Sequence, residues 1–408
     1  MKMLSVDQVA EKWNLSPRTI QNLCKNGRIQ GAVNFGKSWM IPENAKRPAD
    51  GRRKKEVKKY SLLYQTPFMD MTKLYTEPGT ADQCVESLSD SPETQMLFSA
   101  EIAYSRGNIE QVYKYANFFL ENHNDFYAMI SSGMLLSLCA MWKGDVQLWY
   151  KARRHVVEAP CNNETDRDIL ALTLAAMDSA IRNTNDFPDW FKRGSFDNLP
   201  KDAHPAAWVY YIKYLLVLAQ DMAVSNMEFN DVRGMGLLKT LPNIMEPMIS
   251  QMVSEKIVMA EIYLRLLCSI SYRQAGDDVF AGKHLDKAIQ MCLADGLYGP
   301  LVEHRRQLGM FLDDHIAMFD PSALRIVKDM HKELHTGWTI LHNAVTERTV
   351  SASLTIRERE VARLAAFGLS DKQISKQLNI SESSVKVLVR SAKTKTNVMK
   401  RVELALYI

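Results

Sequence analysis

From roughly Thr80 to Val345, apolar residues return every three or four positions, the spacing of helices that each bury one face. The breaks in that pattern fall at Gly-Asn and Gly-Asp hinges. They predict three helix pairs: Glu93 to Arg106 with Ile109 to Asn122, Phe126 to Lys143 with Val146 to Glu158, and Val253 to Gln274 with Val279 to Asp295. The two ends of the chain carry shorter patterns. Near the N-terminus, Ser5 can cap a helix from Val6 to Trp13 that turns Val9, Ala10 and Trp13 inward. Ser16-Pro17 then starts a second helix, with Ile20 and Leu23 inward, that runs to Asn26-Gly27. Ile29 to Ile41 reads as two short strands around Asn34-Phe35-Gly36-Lys37, a wing. At the other end, Val361, Leu364 and Ala365 mark one helix, which Gly368 ends. Ser370 caps Asp371 to Leu378, and Ser381 caps a helix reaching about Lys395 with Val385, Val389 and Ala392 on its inner face. Ser383, Ser384, Lys386, Val387, Arg390 and Lys393 remain for the outer face, with Lys372 on the helix before it. A helix, a short turn and a second helix with a basic, small-residue outer face suits a major groove.

Leu354-Thr355, Arg357-Glu358, Gly368-Leu369-Ser370, Lys372 to Ile374, Ile380-Ser381-Glu382 and Val385-Lys386 together resemble the LuxR-type helix-turn-helix. The resemblance covers about an eighth of the chain. It implies a four-helix DNA-binding domain over 351–408, with Val402, Leu404, Ala405 and Ile408 as the apolar face of a fourth helix that is either a dimer seam or packing on the first helix. Leu388 stands where the family commonly has His. Thr396 stands where Leu is usual, which weakens the expected junction of helices three and four. Residues 1–45 resemble the excisionase/MerR-like winged helix-turn-helix through Ser5-Val6, Val9-Ala10, Ser16 to Ile20, Gly27-Arg28-Ile29 and Phe35 to Trp39. That likeness implies DNA contacts from Arg18, Thr19, Gln21, Asn22, Lys25, Arg28 and the wing residue Lys37. Residues 80–345 resemble tetratricopeptide-type repeats, and Ala288 to Leu312 resembles the C-terminal helical region of MalT-like regulators, without that family's ATPase domain. The expected fold is therefore mainly α: a winged helix-turn-helix, a basic connector over 46–79, a helical-repeat middle and the LuxR-type end.

Charge sharpens this division. The net charge of +4 separates into +9 over residues 1–60, −11 over 61–353 and +6 over 354–408. Basic ends around an acidic body predict that double-stranded DNA meets the ends and not the middle. Eight Lys and Arg between Lys46 and Lys59 are either a solvated tether or a phosphate-tracking arm. Six dispersed cysteines read as reduced thiols rather than a disulfide frame or zinc site. No apolar run reaches the roughly 18 residues of a membrane helix, Trp208 to Val224 being broken by Lys213, Gln220 and Asp221, and no signal-peptide core opens the chain.

Gly31 to Ser38 spells a P-loop, but Pro42 follows too closely for the helix that would hold phosphates. His331 and His335 share one helical face, yet Glu333 is misplaced for a zinc protease, so a surface helix is expected. Trp208, Tyr210, Tyr211 and Tyr214 read as packing between helices, with a ligand groove as the alternative, and Asp166, Asp168, Asp277 and Asp278 as solvated helix starts. No catalytic, metal or cofactor-binding residues are expected. The function expected is a bacterial, cytoplasmic, nucleoid-associated transcription regulator. It would act as a homodimer, with a small-molecule or protein effector on the helical middle. The alternative is a protein-interaction scaffold with vestigial or dimerising ends, and salt dependence of binding separates the two.

Overall fold

The computed structural model describes residues 2–36, 38–48, 66–225, 233–346, 354–396 and 398–407. The chain forms two compact units, 1–60 and 61–408.

In the first unit, β1 (Met3–Ser5) leads into α1 (Val6–Trp13), α2 (Pro17–Lys25), β2 (Val33–Phe35) and β3 (Ser38–Pro42). Ser5 and Gln8 close a capping box on α1, and Ser16 accepts from the Thr19 N–H with Pro17 opening α2. The expected hairpin is present, with Phe35 opposite Ser38, and the sheet gains a third strand that pattern reading missed: Leu4 pairs with Ile41. Val9, Ala10, Ile20, Cys24, Ile29 and Ile41 form the core, so Cys24 takes the fully inward place expected of Leu23, which packs at the margin. Ser38 begins a strand, not a helix, consistent with rejecting a P-loop here.

The second unit is helical almost throughout. Its helices are α3 (Ala81–Ser87), α4 (Pro92–Ser105), α5 (Ile109–Asn122), α6 (Phe126–Lys143), α7 (Val146–Val157), α8 (Glu164–Ala180), α9 (Asp189–Lys192) and α10 (His204–Ser225). They continue as α11 (Arg233–Glu255), α12 (Val258–Ala275), α13 (Asp278–Asp295), α14 (Gly299–Leu308), α15 (Met310–Phe319) and α16 (Pro321–Thr346). The three expected pairs are α4/α5, α6/α7 and α12/α13, each packed along its length. One boundary moves: Val253 to Glu255 end α11, because Lys256 takes a left-handed φ of 57° and breaks the chain before α12.

The array also closes on itself, which a simple stack of repeats would not. The long α16 packs back against α6 and α14, and α14 touches α4. Gly337 makes the first crossing possible, since a Cβ there would meet the Trp142 carbonyl oxygen at 2.1 Å. α6 is apolar and long enough to span a membrane by composition, correcting the expectation that no such segment exists, but 83% of it is buried inside this bundle. Asp166 is likewise buried, accepting from the Asn162 N–H, rather than solvated. All six cysteines are free.

The C-terminal domain follows as α17 (Ile356–Ala366), α18 (Asp371–Leu378), α19 (Glu382–Thr396) and a 3₁₀ turn over Val402–Tyr407 where a fourth α-helix was expected. Val361, Leu364, Ile374, Val385, Val389, Ala392 and Leu404 share one core.

Candidate nucleic-acid interface

Local chemistry fixes the two helices of the C-terminal motif. Ser370 and Gln373 form a capping box on α18, and Asn379 ends that helix in the left-handed conformation with φ 50°. Two residues later Ser381 accepts from the Ser384 N–H at 3.0 Å and restarts the chain as α19. Val385, Val389 and Ala392 then point into the core, leaving the opposite face of α19 to solvent.

On that face Ser383, Ser384, Lys386, Val387 and Arg390 are exposed, Lys393 is half-buried, and Lys372 is exposed on α18. Val387 is 66% exposed, an apolar side chain with nothing of its own domain to cover it. The cations divide by role. Among the described residues Lys386, Arg390 and Lys393 have no acidic partner, whereas Lys395 pairs with Glu358 at 2.7 Å and Arg401 with Asp371 at 2.8 Å. The first three can therefore meet phosphates and base edges, and the other two hold the domain together.

Glu358 is the hub of that second group. It closes the capping box with Thr355 and accepts from Ser391 and Lys395. Burial alone would raise its pKa, but the bonds from Lys395, Ser391 and Thr355 outweigh it and hold the carboxyl down at about 2. Thr396, where a Leu was expected to serve the junction better, stands at the end of α19. It is buried, and its hydroxyl donates to the Ala392 carbonyl at 2.8 Å, so the polar atom is satisfied inside α19. Leu404 is fully buried in its own domain and Ala405 packs on the same core, so two of the four residues of the suggested dimer seam already have partners. Val402 is half-buried, and Ile408 lies outside the described residues.

In the N-terminal unit, Arg18, Thr19, Gln21, Asn22 and Lys25 are all exposed along α2, and Arg28 is exposed just after it. Lys37 lies outside the described residues, as do 49–65 of the basic connector. Val33 and Phe35 are exposed on the wing strand β2.

The rest of the chemistry sits elsewhere than the sequence suggested. His331 and His335 are not on a surface. His331 is buried, and both line a cavity of about 160 Å³. Burial, then the neighbouring Arg305, Arg306 and Arg359, push the His331 ring down to about 2, and the same environment pushes His335 to about 3. Such a cationic setting disfavours a metal ion. Of the aromatic stretch, only Tyr210 reaches the cavity, while Tyr211 and Tyr214 pack with Phe187, Phe191 and Phe196. Glu246, Cys268 and His284 bring one donor atom each within 4.8 Å, a trio no local motif announces. His284 Nε2 already lies 2.9 Å from Glu246 Oε1, and burial pushes the Cys268 thiol well up, so the trio reads as a hydrogen-bonded core contact.

Comparison with known proteins agrees with the ends of the chain. Residues 352–408 match the family described as bacterial regulatory proteins, luxR family, and residues 3–45 match a helix-turn-helix domain family. The nitrate/nitrite response regulator protein NarL of Escherichia coli K12 is 43% identical over 67 residues, 16% of this chain and 31% of that protein. The nitrate/nitrite response regulator homolog of Haemophilus influenzae is 48% identical over 66 residues, 15% of this chain and 32% of its own. The chain thus spans about a third of the curated relatives it matches. No solved structure matches it significantly. The C-terminal segment is a LuxR-type helix-turn-helix, and a second helix-turn-helix domain stands at the N-terminus.

Proposed function

We propose that this protein is a sequence-specific DNA-binding transcription regulator whose helical middle senses an effector. The observation that carries the reading is the outer face of α19, where Lys386, Val387 and Arg390 stand exposed and uncommitted in a LuxR-type domain. Arg390 and Lys386 have the reach for guanine edges and phosphates, and Val387 suits a thymine methyl. The same domain docks on the helical middle. Arg363 donates to the Gln307 carbonyl at 2.8 Å, Met310 N–H donates to Glu360 at 3.1 Å, and Gln377 donates to the Arg273 carbonyl at 3.1 Å. Those bonds give a bound effector a physical route to the reading helix.

In this reading α2 and the wing of the N-terminal unit add a second DNA contact, and linkage of the two modules raises their joint affinity through effective concentration. The regulator works at the chromosome in the cytoplasm, as a homodimer, and has no catalytic role. Comparing the intact chain's affinity for a specific duplex with that of each end alone tests the joint contact. An intact affinity no better than that of the stronger end contradicts it.

A further inference from the structure

The cavity under α14 is lined by charges that the protein leaves without opposite partners. Arg306 faces it, stacked on Trp338 with its guanidinium carbon 4.3 Å from the ring centre. Its Nη2 is buried with no hydrogen-bond partner, and no carboxylate pairs with it among the described residues. Burial and the nearby Arg359, Arg182 and Arg363 all work against its charge. A buried guanidinium left without an opposite charge destabilises the fold that holds it. The neighbouring Arg305 shows the contrast, held by two bonds to Asp313 at 2.8 and 2.7 Å.

Asp70 and Glu101 line the same cavity with the opposite excess. Glu101 accepts from the Met69 and Asp70 N–H groups, but neither carboxylate has a basic partner among the described residues. Burial raises both carboxyls: Asp70 goes to about 6, with Glu303 adding to the rise and its bond to Glu101 opposing it, and the nearby Asp70 pushes Glu101 further up. Glu303 does not supply the missing pairing for Arg306, because it is already committed to Lys213 at 3.3 Å and to the hydroxyls of Tyr104 and Tyr263 at 3.1 and 2.9 Å. The remaining walls are largely apolar, among them Phe68, Met134 and Leu267. The volume of about 160 Å³ has room for on the order of ten waters, or a ligand of about that many non-hydrogen atoms.

We infer that this cavity binds an amino-acid-sized zwitterion, with its carboxylate on Arg306 and its ammonium against Asp70 and Glu101. Each end of such a ligand neutralises a charge the fold leaves alone, and a metal ion or a simple anion satisfies only one end. The inference rests on the reading that the helical middle senses an effector, and it names the effector's class.

The ligand would act on DNA binding through α14. Arg306 faces the cavity while the next residue, Gln307, gives its carbonyl to Arg363 of α17. A change in the position of Arg306 therefore reaches the DNA-binding domain across one peptide unit.

Titration calorimetry on the intact chain, with the twenty proteinogenic amino acids and γ-aminobutyrate as probes, tests this. At least one zwitterion should bind. Its counterparts lacking the amine or lacking the carboxylate should bind about tenfold or more weakly, the cost of one charged hydrogen-bonding group. Arg306→Met should lose that binding while the ligand-free chain melts no lower than wild type, because an unpaired buried charge has gone. Asp70→Asn, which keeps the shape, should weaken the zwitterion and leave the des-amino analogue unchanged. Binding by no member of the panel, or equal binding by a singly charged analogue, overturns the inference. A duplex titration separates the two readings. A chain that binds DNA but no probe overturns the ligand assignment alone, whereas one that binds a zwitterion but no duplex supports the ligand and overturns the regulator.

Discussion

Gly309 and Glu360 meet where a side chain on the former would leave no room for the latter: a Cβ on Gly309 would lie 2.1 Å from Glu360 Oε1. Gly309 also has φ 62° and ψ −137°, a backbone conformation that only glycine adopts readily. It sits between α14 and α15, and Glu360 belongs to α17, so this contact is one of those that seat the DNA-binding domain on the helical middle. Gly309→Ala should loosen that seat by about 1–3 kcal/mol through strain and displacement of Glu360. Amide hydrogen exchange checks it: α17 should exchange faster while α4 to α7 do not change. Unaltered protection of α17 would show that the seat does not depend on this approach.

Glu358 predicts an acid sensitivity with a definite window. Its folded pKa, about 2, lies below the unfolded carboxylate value near 4.5, so its stabilisation is complete above pH 4.5 and is lost as pH falls toward 2. The contribution is on the order of 2 kcal/mol, because Glu358 is buried but its partner Lys395 is partly exposed and solvent screens part of the shift. Glu358→Gln should lower the melting temperature at pH 7 and flatten its fall between pH 5 and pH 3. A parallel fall in both proteins would assign the acid sensitivity elsewhere.

Leu404 tests the fate of the last apolar face. It is fully buried among its own domain's side chains. Leu404→Ala should therefore cost about 2–5 kcal/mol of that domain's stability. Sedimentation should find its oligomeric mass the same as that of wild type. Loss of a dimer with melting behaviour intact would instead make this face a subunit seam.

The wing carries the last substitution. Lys37→Ala should lower DNA affinity across sequences alike and flatten the salt dependence by about one unit, as loss of one phosphate contact does. The same variant and wild type should both fail to bind ATP, since Ser38 opens a strand where a P-loop needs a helix. ATP binding that disappears with Lys37 would reverse that assignment.

The parts of this chain legible in sequence were those set by local chemistry. Ser5, Ser16, Ser370 and Ser381 cap the helices they were expected to cap, and Gly144 and Gly276 turn the hinges of their helix pairs with φ 68° and 88°. What was not legible depends on distant segments meeting. β1 is three residues long and exists because Ile41 returns to pair with Leu4. His331 was read as a surface residue from its own helix alone, and its burial appears only once α14 packs along α16 and brings Arg305 against its ring. Arg306 reads in sequence as one charge of a polar helix end, and its lack of an acidic partner appears only once α6, α10, α12 and α16 enclose it. The charge division of the whole chain, by contrast, pointed to the ends before any contact was known.

The central claim is that α19 reads DNA. The most direct measurement titrates a specific and a scrambled duplex with the intact chain, with Arg390→Ala, and with a chain lacking 351–408. Arg390→Ala should cost on the order of 1–3 kcal/mol on the specific duplex and much less on the scrambled one, the signature of a lost base contact. Deletion of 351–408 should abolish the difference between duplexes. Specific binding that survives the deletion undiminished would contradict the account.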